Sequence, residues 1–217
     1  MLPADIERTS MRIIAKELES RGAVIPEENR AVISRVIHTT ADFDYSENLV
    51  FTDGAVSRGV NAMTCGNTIV TDTNMALAGI SKPSMKKLSC DAVCYMAYPE
   101  IAEAARLNGT TRAVASMEYA SKQHPNGIFA VGNAPTALIK LSELMEGGLR
   151  PSLIIGVPVG FVNVVESKEE LLEICRSFDI PAIVAMGRKG GSNVAAAICN
   201  ALLYSACDSL DPVKRGW

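Results

Sequence analysis

Histidine is scarce in this chain: His38 and His124 are the two copies among 217 residues, so proton chemistry near neutral pH has few places to reside. Aromatic residues are scarce as well, at 5%. Neither sign of charge dominates. With a formal net charge of −3 and no predicted helix carrying a basic stripe, no nucleic-acid partner is expected. Long hydrophobic runs are missing too. The longest, residues 153–165, is interrupted by Gly156, Pro158, Gly160 and Asn163 and is too short to span a bilayer, so no membrane partner is expected. The opening residues Met1-Leu2-Pro3-Ala4-Asp5-Ile6-Glu7 lead straight into a charged amphipathic helix rather than a signal-peptide core, and a cytoplasmic location is expected. Six cysteines form no evident disulfide framework and read as small buried apolar residues. Cys90 and Cys94 are spaced to share a helix face, but no second cysteine pair or histidine cluster completes a zinc site, so no metal is expected.

What is present is a globular composition, 48% hydrophobic and 21% charged. The length suits one domain, 1–217, with a proper core, and no repeat, low-complexity tract or linker divides it. Two helices are predicted at the start, over residues 4–21 and 26–38. They are placed to pack on the rest of the chain or to reach another subunit. From residue 49 onward, β-branched runs alternate with helical stretches. The predicted strands are Leu49 to Thr52, Thr68 to Thr71, Ile128 to Val131, Leu153 to Gly156 and Ala182 to Ala185. This alternation predicts an α/β fold of three layers, α/β/α, with a mostly parallel sheet and ligands outside the carboxyl ends of its strands. Ser167 with Glu170 reads as a capping box opening a helix over Lys168 to Phe178, and Gly190-Gly191-Ser192 opens a C-terminal helix through Leu203.

In the second helix, Pro26 occupies the expected first position, Glu27 and Glu28 the first turn, and Val32, Ile33, Val36 and Ile37 one face. His38 then falls near the C-terminus. The helix-end carbonyls and nearby Asp42 or Asp44 favour imidazolium there, which suits a general acid; the alternative is a histidine that caps the helix by bonding a carbonyl. His124 lies in a turn, and its replacement is expected to matter little.

Three loops follow predicted strands. In Gly132-Asn133-Ala134-Pro135-Thr136-Ala137-Leu138, backbone donors with Asn133 and Thr136 are placed to meet a ligand carboxylate, or the segment is an ordinary strand-to-helix turn. Gly156-Val157-Pro158-Val159-Gly160-Phe161-Val162 is unusually apolar for a loop, suited to lining a cavity for a large flat ligand or to burial against a partner subunit. Gly187-Arg188-Lys189-Gly190-Gly191-Ser192 joins two cations to flexible glycines at a helix start, which suits anions. It is neither a Walker A sequence nor G-x-G-x-x-G, so an organic polycarboxylate fits better than a nucleotide. Arg112 adds a guanidinium fork for a carboxylate, unless it is a solvated surface residue.

Taken in order, Ser10 within Glu7-Arg8-Thr9-Ser10, His38 within Val36-Ile37-His38, Gly132 to Leu138, Gly156 to Val162 leading into Glu166-Ser167-Lys168, and Gly187 to Ser192 run almost end to end through the chain. In these segments the sequence resembles the precorrin-8X methylmutase family, including its cobalt-precorrin-8 branch, of the corrin pathway to vitamin B12. The resemblance implies an isomerase that moves a methyl group from C-11 to C-12 of the macrocycle, giving hydrogenobyrinate or cobyrinate, with no organic cofactor. It also implies a homodimer of α/β subunits with the tetrapyrrole in a cleft to which both contribute. His38 matches the family's catalytic histidine, which protonates the macrocycle, and Ser10, Arg112, Arg188 and Ser192 match substrate-contacting positions. A non-catalytic tetrapyrrole carrier would need the same loops but not His38. An unrelated nucleotide-binding α/β enzyme is the other alternative.

Overall fold

The structure, a computed structural model, describes residues 2–215. Met1, Gly216 and Trp217, which the expected domain of 1–217 includes, lie outside the described residues. The chain begins with α1 (Pro3–Ser20) and α2 (Glu27–Thr40). Pro26 caps α2 rather than occupying its first turn, and Ala41, in the left-handed conformation, ends it. There follow α3 (Tyr45–Asn48), β1 (Leu49–Phe51), α4 (Ala55–Thr64), β2 (Ile69–Thr71), α5 (Asn74–Gly79), α6 (Lys82–Leu88), β3 (Ala92–Val93), α7 (Pro99–Leu107) and α8 (Arg112–Gln123). The remainder is β4 (Ile128–Val131), α9 (Pro135–Glu146), β5 (Leu153–Gly156), α10 (Val164–Ser177), β6 (Ala182–Ala185), α11 (Ser192–Ala206) and a 3-10 turn, Pro212–Arg215.

The strands form one sheet in the order β1-β6-β5-β4-β2-β3, parallel except for β1, which runs antiparallel to β6. Strands β4, β5 and β6 are buried along their whole length, as short Val/Ile runs covered on both faces must be. Alternate residues feed two separate cores. Ile128, Ala130, Leu153 and Ile155 pack toward α2, α4 and α11, whereas Phe129, Val131 and Ile154 pack toward α8, α9 and α10. The three-layer α/β/α arrangement with a mostly parallel sheet follows directly. The N-terminal helices belong to this body: α2 lies along α11 and buries Val32, Ile33, Val36 and Ile37. Each such side chain contributes about 1.5–3 kcal/mol by leaving water.

Two expectations are corrected here. Helix α10 starts at Val164, after Asn163 in the left-handed conformation, so Ser167 lies inside the helix and bonds the Val164 carbonyl at 3.1 Å; it does not form a capping box with Glu170. Cys90 and Cys94 flank β3 instead of sharing a helix face. Both are buried, and burial pushes the Cys90 thiol up to about 11. No described helix is long and apolar enough to cross a membrane.

Candidate functional site

From β2 the chain crosses outward to β3, and from β4 it winds the other way to β5 and β6. That reversal opens a crevice outside the carboxyl ends of β2 and β4. Asp72 follows β2 at this point and is 1% exposed. Its carboxylate accepts the backbone N–H groups of Gly132 and Asn133, each at 2.8 Å, and of Ala134 at 2.7 Å. The backbone donors that the sequence offered to a ligand carboxylate are therefore already occupied by the protein's own. Burial pushes the Asp72 carboxyl above its ordinary value, while the three amide bonds pull it back.

Gly132 permits the next contact: a Cβ there would stand 2.7 Å from the Ser192 Cα, so only glycine lets the first turn of α11 close on the end of β4. The hydroxyls of Ser192 and Thr73 are 2.7 Å apart, and Thr73 caps α5 by accepting the Ala76 N–H at 3.0 Å. Beyond the loop, Thr111 caps α8 and stands 3.3 Å from Thr136 in the first turn of α9. Arg112, beside Thr111, is exposed, as is Asn133. Four expected residues, Arg112, Asn133, Thr136 and Ser192, thus gather where α8, α9 and α11 present their N-termini, whose partial positive charge favours anions. Asp72 and Thr73 went unnoticed in the sequence. The polar run Thr71-Asp72-Thr73-Asn74 directly after a predicted strand was the available signal.

Arg188 lies in the loop after β6, exposed, with its guanidinium 5.6 Å from the centroid of the Phe161 ring. The apolar loop divides: Val157 is buried, whereas Phe161 and Val162 are 82% and 77% exposed. Lys189 corrects an expectation. Rather than a free cation for a ligand, its ammonium bonds Asp42 at 2.7 Å and Asp44 at 2.5 Å, which holds the Asp42 carboxyl below its usual value. Those ion pairs tie the segment after α2 to the loop that carries Arg188.

His38 sits exposed in the last turn of α2. Its expected electrostatics are reversed: the ring is partly buried, Asp42 and Asp44 are committed to Lys189, and the charges acting on it are those of Arg35, Glu7 and Arg215. Arg35 and Arg215 both reach the same Glu7 oxygen at 2.6 Å, leaving two guanidiniums on one carboxylate. Partial burial of the ring, then the Arg35 charge, hold the imidazole below its ordinary value despite Glu7. Both effects favour the neutral imidazole in the unliganded protein. Ser10, on α1 one turn past Glu7, returns its hydroxyl to the Ile6 carbonyl at 3.0 Å. No hydrogen bond among the described residues joins His38 or Ser10 to the Arg112–Ser192 group; the Lys189 ion pairs are the link between the two sets. A cavity of about 700 Å³ lies at the opposite edge of the sheet, lined by Arg58, Asn61, Asn67, Arg150 and Ser152, and none of the seven expected site residues lines it. His124 is also distant from the crevice, just before β4, where its Nε2 stands 2.7 Å from the Tyr95 hydroxyl.

The fold is that of the doubly wound α/β proteins, with hydroxyls and three helix N-termini around the crevice at the carboxyl ends of a mostly parallel sheet. The precorrin-8X methylmutase family matches residues 5–205. The chain is 42% identical over 206 residues to the cobalt-precorrin-8 methylmutase of Salmonella typhimurium, covering 93% of this chain and 95% of that one. To the precorrin-8X methylmutase of Pseudomonas aeruginosa it is 34% identical, covering 91% and 93%. The crystal structure of precorrin-8X methylmutase from Thermus thermophilus is similar with a TM-score of 0.83 at 38% identity, covering 94% of this chain and 98% of that one. The chain belongs to the precorrin-8X methylmutase family.

Proposed function

We propose that the protein is an isomerase of cobalamin biosynthesis that shifts a methyl group from C-11 to C-12 of a tetrapyrrole, converting cobalt-precorrin-8 to cobyrinate. The cobalt-bearing substrate is preferred over precorrin-8X because the Salmonella relative named for it is the more similar, at 42% identity against 34% for the Pseudomonas one. The observation that carries the reading is the gathering of Arg112, Asn133, Thr136 and Ser192 at the switch-point crevice, a surface suited to a molecule bearing several carboxylates. Arg112 and Arg188 supply charge-assisted contacts to acetate and propionate groups, and Ser10, Asn133, Thr136 and Ser192 supply neutral donors. The exposed Phe161 and Val162 offer apolar surface to the macrocycle.

A methyl shift within one ring system needs no nucleophile. It needs a proton delivered to the conjugated macrocycle so that its electrons redistribute as the C-11–methyl bond breaks and the C-12–methyl bond forms, and then removed so that the product is an isomer; His38 is the group assigned to give that proton and take it back. Its low proton affinity in the free protein gives the step a logic. Substrate carboxylates beside Arg35 and His38 offset the guanidinium charge and draw a proton onto the imidazole, so the acid is charged when substrate is present. A general acid of this kind lowers the barrier by about 3–5 kcal/mol, a hundred- to ten-thousand-fold in rate. Because His38 stands on an open surface and Phe161 projects, the site is read as completed by a second copy of the chain in a cytoplasmic homodimer.

The test is incubation of purified protein with cobalt-precorrin-8 and, separately, precorrin-8X, following the absorption spectrum and product mass. A spectral change at constant mass, faster with the cobalt substrate, is expected. A ligand that binds and stays unchanged would favour the carrier, and saturable nucleotide binding without response to either tetrapyrrole would favour the nucleotide enzyme.

A further inference from the structure

Lys168 is a lysine wholly inside the protein, with 0% of its surface exposed, the fifth residue of α10 counted from Val164. Its amine donates to two backbone carbonyls, those of Gly187 at 2.8 Å and Lys189 at 2.9 Å. Both acceptors belong to the loop that carries Arg188 and leads into Ser192. Burying an amine without a carboxylate is costly, and a hydrophobic side chain of similar volume would fill the space at no such cost. The two carbonyls take two of the N–H donors the side chain carries, and burial lowers its proton affinity to about 8. The loop it holds is otherwise improbable as a backbone path. Gly190 adopts φ +158° with its α-carbon so close to the preceding loop that a Cβ would fall 2.1 Å from the Val157 carbonyl oxygen, and Gly191 donates to that same oxygen at 2.8 Å.

We propose that Lys168 is a positioning residue for substrate binding, its amine fixing the course of the Gly187–Ser192 loop and so the placement of Arg188 and Ser192. The assignment rests on the functional reading above, because it takes these two residues as carboxylate contacts. Lys168 itself touches no substrate. The carbonyls on either side of Arg188 are drawn into the interior, and Arg188 between them is exposed, with its guanidinium over the Phe161 ring. From the other side Lys189 ties the same loop to Asp42 and Asp44, so the segment is held at both ends of its exposed stretch.

The experiment compares wild type with Lys168→Met, which keeps the volume and removes the donors. Melting temperature, KM and kcat for cobalt-precorrin-8, and equilibrium binding of cobyrinate are measured on each. The expected result is a melting temperature equal to or above that of wild type, a KM and a cobyrinate Kd each raised about tenfold, and kcat changed less than twofold, as for the loss of well-placed charged contacts in binding alone. A merely structural lysine would lower the melting temperature and leave KM alone; unchanged KM and Kd overturn the proposal. Should the Met variant not fold, Lys168→Gln decides, since it keeps a polar end but on a side chain one atom shorter, too short to reach both carbonyls that the lysine amine bridges: raised KM and Kd support the proposal and wild-type values overturn it. Failure of the functional reading looks different. If wild type binds cobyrinate without converting cobalt-precorrin-8, the reaction assignment fails and the Kd comparison still judges Lys168; if wild type neither binds nor converts, both fall.

Discussion

Replacing Asp72 by alanine removes one carboxylate that satisfies three backbone amides at the end of β4, with bonds of 2.7–2.8 Å. The amides of Gly132, Asn133 and Ala134 would then lose their acceptor at a site that is 1% exposed. An orphaned buried donor costs about 1–3 kcal/mol, which sets an upper range of roughly 3–9 kcal/mol for three. Two effects reduce it: the vacated volume admits water, and the penalty of burying a carboxylate disappears. Burial already outweighs the amide bonds in raising this carboxyl's proton affinity, so the second effect is substantial. A loss of about 3–5 kcal/mol is expected, the usual cost of removing one side of a buried charged contact. In a domain of this size that corresponds to a fall in melting temperature of about 6–20 °C. Asp72→Asn keeps one acceptor oxygen but turns an NH2 group toward an N–H donor, and is expected to lose nearly as much. Urea unfolding at pH 7 with an unchanged m value measures both. An Asp72→Ala variant within about 0.5 kcal/mol of wild type would refute the claim that this carboxylate holds the loop.

Gly132→Ala pushes a methyl group against the Ser192 backbone at 2.7 Å, neither side of which is a flexible side chain; it is expected to cost about 1–3 kcal/mol and to weaken tetrapyrrole binding, read by unfolding and titration. The pH dependence follows from the depressed proton affinity of His38. In the free protein the acid form is lost as pH rises through a value below the ordinary 6.5, so kcat/KM falls on that limb, whereas kcat, which reports the substrate complex, falls at higher pH. Coincident limbs for the two parameters would refute the substrate-induced charging of His38. Arg112→Ala and Arg188→Ala should each weaken tetrapyrrole binding about tenfold or more through a lost charge-assisted contact, and unchanged affinity in both would make these arginines structural.

The architecture was legible in the sequence wherever the signal is local. Val/Ile runs and their spacing located five of the strands to within a residue, and Pro135 marked the start of α9. The two-residue β3, Ala92–Val93, has no such run and lies between cysteines, so nothing announced it. The direction of β1 was hidden for a different reason: alternation of strand and helix predicts parallel neighbours, but β1 enters from the N-terminal helices and pairs with β6 from the far end of the chain. Ser167 and Glu170 satisfied a capping pattern, yet the two valines before them extended α10 by a turn. In the site, residue types were readable and partners were not. Lys189 looked free because Asp42 and Asp44 lie some 145 residues away, and the anion nest of Gly132–Ala134 looked open because Asp72 is 60 residues upstream. His38 was assigned its charge from its helix end. Burial of the ring comes first in setting that charge, and the Arg35–Glu7–Arg215 cluster that adds to it joins three separate parts of the chain.

The central claim is that His38 donates the proton that drives the methyl shift. Wild type and His38→Asn are compared for cobyrinate formation from cobalt-precorrin-8 under single-turnover conditions, with tetrapyrrole affinity measured on both. The account predicts affinity within about twofold and a rate lower by about a hundred- to ten-thousand-fold in the variant. Cobyrinate formed by His38→Asn at the wild-type rate would contradict it.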